Sequence, residues 1–293
     1  MQIAASELIL NSDGSIYHLH LLPEQLADTV ITVGDPDRVE RVSRLFDRVE
    51  HRVHKREFIT HTGYIGHKRI SVMSTGIGTD NIDIVLNELD ALVNIDLGTR
   101  TVKDKLTSLN IIRIGTSGCM RPEIPVDSFL VSDMAIGMDG MLNYYKRSLT
   151  PREQAFDNIV QTHFKNEGLD VGVRSEVAEA DASLIKAFSL PGFYHGITVS
   201  ATGFYAPQSR TLRAASSVPD LFHFFDTVEF EGLKVTNLEM ETAAIFGLAN
   251  ILGHRAISLN ALLANRRAGA FSVQPEAIVD NLIEKALEII VKL

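Results

Sequence analysis

Cys119 is the only cysteine in 293 residues, which excludes an intramolecular disulfide and a metal centre built from several thiolates. A basic excess is missing too. With 28 Lys+Arg against 37 Asp+Glu, the formal net charge is -9, so a general nucleic-acid binder, whose affinity rests on a basic surface, is not expected. A small anion can still be held where a few arginines converge. No apolar run approaches a membrane span, and the opening "MQIAASELILNSDGS" has no basic region and an apolar stretch broken by Glu7. We therefore expect neither signal peptide nor anchor, no membrane partner and a cytoplasmic location. Common catalytic signatures are also absent. "TGIGTDN" lacks the third glycine of a dinucleotide loop, no Walker loop occurs, "GTSG" is not a nucleophile elbow, and His61 and His67 lie on a hairpin-like stretch without metal-ligand spacing.

What is present is an ordinary globular composition, 45% hydrophobic and 22% charged, on a strand–helix alternation. "DTVITVGDPDRVERVSRLF" passes from a β-branched strand (Val30, Ile31, Val33) through Gly34-Asp35-Pro36 into a helical pattern at Val39, Val42 and Leu45. A strand at 69–74, a glycine loop at 76–78 and a helix with Ile82, Val85, Leu86 and Leu89 on one face repeat the scheme. "LNIIRIGTSG" and "DSFLVSDMAIG" read as strands, and "LKVTNLEMETAAIFGLANILGHRAISLNALLANR" reads as strand, turn, helix ending near Gly253, strand. The tail carries an apolar stripe of Ile278, Leu282, Ala286 and Ile290. These predict one α/β domain over 1–293, a twisted, mixed or mainly parallel central sheet flanked by helices. The polar, poorly periodic 91–109 reads as an extended insertion.

In such sheets ligands gather where strands end and helices begin. "VGDPDR" offers backbone N–H groups at a helix start with Arg38 one turn in, either an anion cradle or a capped helix with a surface arginine. Arg113 sits inside an apolar strand, where it needs an anionic ligand or a structural ion-pair partner. "NLEMET" places Glu239 and Glu241 at a strand-to-helix turn, where one carboxylate can take a pair of ribose hydroxyls, or both can simply complement the helix dipole. "FYAPQSR" combines a ring, a planar amide and a guanidinium, the set a flat heterocycle would need, although a solvated Pro-centred turn explains it equally simply.

Taken in order, "IYHLHL", "GDPDRV", "HKREF", "MSTGIG", "IIRIGTSG", "FYAPQSR", "NLEMET" and "ANRRAG" resemble the nucleoside phosphorylase family, nearest to its uridine-cleaving branch, from about Tyr17 to the C-terminal helix. The resemblance implies phosphate-dependent cleavage of a nucleoside to base and pentose 1-phosphate. It implies a single α/β domain and a homo-oligomer, a hexamer built from dimers, with sites shared across the dimer interface. No organic cofactor is implied; inorganic phosphate is the co-substrate. By the same resemblance Gly34, Arg38, Arg113 and Thr116 hold phosphate, together with Arg56 from the neighbouring subunit. His18, also from the neighbour, and Met240 and Glu241 hold the sugar, and Phe204, Gln208, Arg210 and Arg266 meet the base. Asn265 stands where purine-type members carry an aspartate that serves purine N7, which favours a pyrimidine. A monovalent ion, potassium, held in some members would meet Glu57, Ile77 and Asn81, with Asn81 in place of a serine. Ala206-Pro207 replaces the usual Pro-Gly, and 91–109 is longer than in the relatives. A purine nucleoside phosphorylase, a hydrolytic nucleosidase on the same fold and a nucleoside-binding module are the alternatives.

Overall fold

A computed structural model describes residues 2–293 apart from 171, 173 and 219. The first half runs β1 (Thr29–Val33), α1 (Pro36–Ser43), β2 (Arg48–Lys55), β3 (Phe58–Ile65), β4 (Lys68–Ser74), α2 (Thr79–Asn94), a small hairpin of β5 (Ile95–Asp96) and β6 (Thr101–Val102), β7 (Asn110–Cys119) and β8 (Phe129–Gly137). The second half runs α3 (Pro151–Glu167), β9 (Glu176–Glu179), α4 (Ala182–Phe188), β10 (Phe193–Ser200), α5 (Leu221–Phe224), β11 (Glu229–Phe230), β12 (Leu233–Glu239), α6 (Thr242–Leu252), β13 (Arg255–Asn265), β14 (Ala270–Phe271) and α7 (Pro275–Ile290).

One twelve-stranded sheet carries the strand path β11-β12-β10-β8-β13-β7-β1-β4-β3-β2, with β14 on β13 and β9 on β8. It is mixed. β1 pairs in parallel with β4 and β7, and β7 with β13, whereas β13 meets β8 antiparallel. The long β7 also pairs with β12 through Asn237–Cys119 and Leu238–Gly118. Strands β7, β13, β8, β10 and β12 therefore close a circuit.

Alternation along β1 divides the core. Val30 joins a layer with Ile82, Val85, Leu86 and Leu89 of α2 and Ala244 and Leu248 of α6, while Ile31 and Val33 face Val39 and Val42 of α1 and Leu282 and Ala286 of α7. A third cluster packs Phe156 and Phe164 of α3 against Phe224 and Phe225. The expected helix stripes on α2 and α7 are all buried. Two expectations are corrected. Leu45 lies beyond the end of α1 and is exposed, because the helix stops at Ser43. The segment 91–109 is not wholly extended: α2 continues through Asn94 with Ala91 and Leu92 buried, and the excursion proper begins at Ile95. Asn94 ends the helix by receiving Thr107 N–H on its Oδ1 (2.7 Å) and donating to the Thr107 carbonyl (3.1 Å). Among the described residues no helix is long and apolar enough to cross a membrane, and no group of three or more His, Cys, Asp or Glu side chains could hold a metal ion.

Candidate functional site

The C-terminal ends of β1, β4, β7, β12 and β13 surround a cavity of about 750 Å³, into which the 204–210 loop and Phe271 also reach. At one end, α1 begins immediately after β1. Asp35 caps it by accepting from Asp37 N–H (3.0 Å), and Pro36 supplies the preset φ of a first helical turn. Arg38 projects from that turn. Its guanidinium donates to the Ile114 carbonyl (3.3 Å), while its buried Nε has no partner. Burial, with Arg113 nearby, pushes its pKa down to about 10 against the pull of Asp35, so it remains a cation at neutral pH that lacks a full set of acceptors.

Arg113 lies across the floor. Its guanidinium folds back over Gly115, where an added Cβ would sit 1.9 Å from its Nη1, so any side chain there would displace the guanidinium. Nη2 meets Glu241 Oε2 at 2.6 Å and Glu239 Oε2 at 3.1 Å. Burial works against its charge, but the two carboxylates outweigh it and its pKa is raised. Glu239 also receives Glu241 N–H (2.9 Å), Thr242 N–H (3.0 Å) and the Ser200 hydroxyl (2.5 Å). It caps α6. Glu241 instead turns toward the cavity, its second oxygen taking Gly78 N–H at 2.8 Å. Burial and the neighbouring Glu239 raise its pKa, opposed by Arg113. Both line the cavity, but Glu239 is committed to the start of α6 whereas Glu241 is tied only to Arg113 and Gly78.

The opposite end is a loop. After β10, Ala206–Gln208 form one 3-10 turn, and Ser209 takes a left-handed φ of 55°. Gln208 is 2% exposed while Phe204 is 51% exposed. Arg210 binds the loop together: its guanidinium stacks 3.8 Å from the Phe204 ring centre and donates to Gln208 Oε1 (2.7 Å) and the Phe204 carbonyl (2.8 Å). Arg210 fixes the orientation of the Gln208 amide, which lines the cavity with its N–H₂ and the second lone pair of Oε1. Burial, then repulsion from Arg266, lowers the pKa of Arg210 to about 10. Among the described residues neither arginine has a carboxylate within 4.0 Å.

The cavity thus gathers Gly34, Arg38, Arg113, Thr116, Phe204, Gln208, Arg210, Met240 and Glu241. Glu57, Ile77 and Asn81 also line it, Glu57 and Asn81 flanking Gly76. Four expected residues are not on its wall. Asn265 is buried behind the wall: its amide donates to the Arg121 and Ile124 carbonyls (2.8 and 2.9 Å) and its oxygen accepts Ala268 N–H (3.0 Å), so both of its N–H groups are engaged within the protein. Arg266 acts one step behind the wall, donating to the Gln208 and Ser209 carbonyls and stacking on Phe222. It shapes the loop from outside. His18 pairs with Glu88 at 2.6 Å on α2, and Arg56 sits exposed in the β2–β3 turn at a φ of 54°. Neither reaches the cavity of its own chain. Sequence reasoning missed Ser117, Leu238 and Phe271 as lining residues. Phe271 arrives because β14 folds back on β13, pairing it with Ala264, and the Gly269 between them was the available turn signal.

A family model described as the phosphorylase superfamily matches residues 28–293. The chain is 30% identical to a uridine phosphorylase of Thermococcus kodakarensis, over 99% of this chain and 91% of the relative. It is 29% identical to one from Haemophilus influenzae, over 94% and 96%. A DeoD-type purine nucleoside phosphorylase of Shewanella amazonensis is 27% identical over 88% and 90%. Its fold overlays that of a Trypanosoma brucei nucleoside phosphorylase with uridine phosphorylase activity at a TM-score of 0.87 and 27% identity, across 98% of this chain and 100% of that one. Family model, relatives and fold agree over nearly the whole length, and the chain belongs to the phosphorylase superfamily.

Proposed function

We propose that this pentosyltransferase splits uridine with inorganic phosphate, giving uracil and ribose 1-phosphate in nucleoside salvage. The observation that carries the reading is one cavity with cations at both ends, Arg38 and Arg113 at one and Arg210 at the other, and the Glu241 carboxylate between them. Phosphate would sit at the helix start with Gly34, Arg38, Arg113 and Thr116. Glu241 and Met240 would hold the sugar, and Gln208 and Arg210 the uracil edge against Phe204.

The chemistry fits that placement. Cleavage of the C–N bond leaves positive charge on the sugar and negative charge on the departing base. Phosphate stabilises the first, and preorganised donors from Gln208 and Arg210 stabilise the second. No enzyme nucleophile is required, because phosphate itself attacks the anomeric carbon. A base end without any carboxylate partner suits a leaving group that departs as an anion. Several relatives are uridine phosphorylases, while one is a purine enzyme, so the base preference rests on the 204–210 loop.

His18 and Arg56 would enter from a partner subunit, in keeping with a dimer-based hexamer in the cytoplasm, and potassium would lie among Glu57, the Ile77 carbonyl and Asn81. The test is base release from uridine and inosine, each with and without phosphate. Uracil release that requires phosphate and exceeds release from inosine is expected. Efficient inosine cleavage with none from uridine would overturn the pyrimidine assignment, and phosphate-independent release would make the protein a hydrolase.

A further inference from the structure

The closed circuit of β7, β13, β8, β10 and β12 is filled on one level by polar side chains, not apolar ones. They form a chain. Arg113 Nη1 donates to Asn260 Oδ1 (3.1 Å), and Asn260 Nδ2 donates to Ser258 Oγ (3.2 Å) and Ser132 Oγ (3.4 Å). Ser132 and Thr198 share a hydrogen bond of 2.6 Å, Thr198 donates to Asn237 Oδ1 (2.7 Å), and Asn237 Nδ2 donates to Ser117 Oγ (2.9 Å). Asn260, Ser258, Ser132, Thr198 and Asn237 are all fully buried. The path leaves β7 at Arg113, crosses β13, β8, β10 and β12 in order, and returns to β7 at Ser117.

Donor and acceptor chemistry fixes the direction of this chain. A guanidinium only donates, so Asn260 must present its oxygen to Arg113 and its N–H₂ to the serines. The Thr198 proton goes to Asn237, so Ser132 donates to Thr198. Ser117 then accepts from Asn237, and its own hydroxyl proton is left for the cavity that it lines. A buried polar chain is costly where apolar side chains would pack, unless every member is paired. Here each is paired, and both ends lie at the floor of one site.

We propose that the chain is a positioning device. Asn260 holds the Arg113 guanidinium turned toward the anion end, against the pull of Glu239 and Glu241, and Asn237 aims the Ser117 hydroxyl as a donor into the cavity. Asn260 is a positioning residue that touches no substrate. The inference rests on the reading that Arg113 holds phosphate, and the experiment separates the two.

The test measures kcat, KM for phosphate, KM for uridine and Tm in Asn260→Ala, Thr198→Val and Arg113→Ala. Losing the Asn260 acceptor on Nη1 is expected to raise the phosphate KM of Asn260→Ala about tenfold, the scale of a charge-assisted hydrogen bond, with uridine KM changing less than about twofold. Thr198→Val breaks the chain at its middle without touching Arg113, keeps the shape, and is expected to raise phosphate KM about threefold. It carries the test by itself if Asn260→Ala fails to fold. If phosphate KM rises in Arg113→Ala but in neither of the others, the positioning role is overturned and the phosphate assignment stands. Should Arg113→Ala also leave it unchanged, both fall. A lowered Tm with kcat and both KM values moving in parallel would mark a packing role and overturn the proposal as well.

Discussion

The two ends of the cavity are built on different physical terms. At the anion end, Arg38 and Arg113 stand on the first turn of α1 and on the central strand β7, and Arg113 is held by two carboxylates and an amide. At the base end, Gln208 and Arg210 stand on a loop with one 3-10 turn, hold each other, and face a ring half in solvent. At the first end the Arg113 charge is compensated by carboxylates while Arg38 meets only a backbone carbonyl, and at the second end Arg210 has no carboxylate partner among the described residues. The anion end therefore binds into a rigid frame whose charges already exist, whereas the base end keeps free donors on an adjustable loop. A site that must take phosphate every time but choose among bases gains from that division.

The largest effect should come from breaking the compensated end. Arg113→Ala removes a phosphate ligand and leaves Glu239 and Glu241 buried beside each other without their counter-charge. We expect kcat/KM for phosphate to fall by about a thousandfold. Arg113→Lys, which restores the charge but not the fork, should recover only part of that loss. Steady-state kinetics in both variants check this, and equal activity in the alanine variant would remove Arg113 from the site.

Asn265→Asp distinguishes the base end from the wall behind it. An aspartate cannot donate to the Arg121 and Ile124 carbonyls, and it places a buried charge against them. Stability should drop by about 2 kcal/mol or more, read as a shift in denaturant midpoint, with no gain of activity on inosine. A gain on inosine would return Asn265 to the base.

How much of this was legible in the sequence follows from the range of the interactions involved. The turn at Gly34-Asp35-Pro36, the α2 stripe and the strand-to-helix placement of Glu239 and Glu241 are set by neighbours within a few residues, and periodicity and capping express them directly. Strand β2 was not visible because it is a sheet edge whose charged residues alternate with half-buried ones. The role of Asn265 was not visible either, since its partners are 144 and 141 residues away. A motif can say that a polar residue stands beside a site, but not whether its hydrogen bonds are already taken. The polar chain from Arg113 to Ser117 was hidden for the same reason: each member looks like an ordinary polar residue of an apolar strand until the circuit of strands closes.

Breaking the uncompensated end should cost less. Arg210→Ala removes one donor to the base and releases the Gln208 amide that Arg210 orients. We expect about a hundredfold loss in kcat/KM for uridine, with phosphate KM within about threefold of the starting value. A phosphate KM that moved equally would mean that the two ends are one unit.

Acid pH offers a milder perturbation, because it reaches the carboxylate between the ends while leaving the arginines charged. Glu241 has a raised pKa, from burial and then from Glu239, so it gains its proton earlier on acidification than an exposed glutamate. Protonation removes an acceptor for the ribose hydroxyls. Uridine affinity, measured by calorimetry without phosphate, should therefore decline as pH falls through that raised value, approaching tenfold per unit. In Glu241→Gln the acid dependence should vanish.

The smallest effect should come from the ring. Phe204 is half exposed and stacks on Arg210 at 3.8 Å, so in the empty site it occupies the guanidinium face with a cation–π contact of about 1 kcal/mol. Phe204→Leu keeps apolar bulk but ends that stack and any stacking on a bound base. The two losses partly offset in affinity, because the free loop loses a stabilising contact as well as the complex. We expect uridine KM to rise about threefold, phosphate KM to stay constant, and Arg210 to become more mobile in the ligand-free protein. If the ring served only to close the cavity, leucine would do as well and uridine KM would not move. If phosphate KM rose instead, the ring would belong to the frame at the anion end, and the contrast between a fixed end and an adjustable one would fail at its most exposed residue.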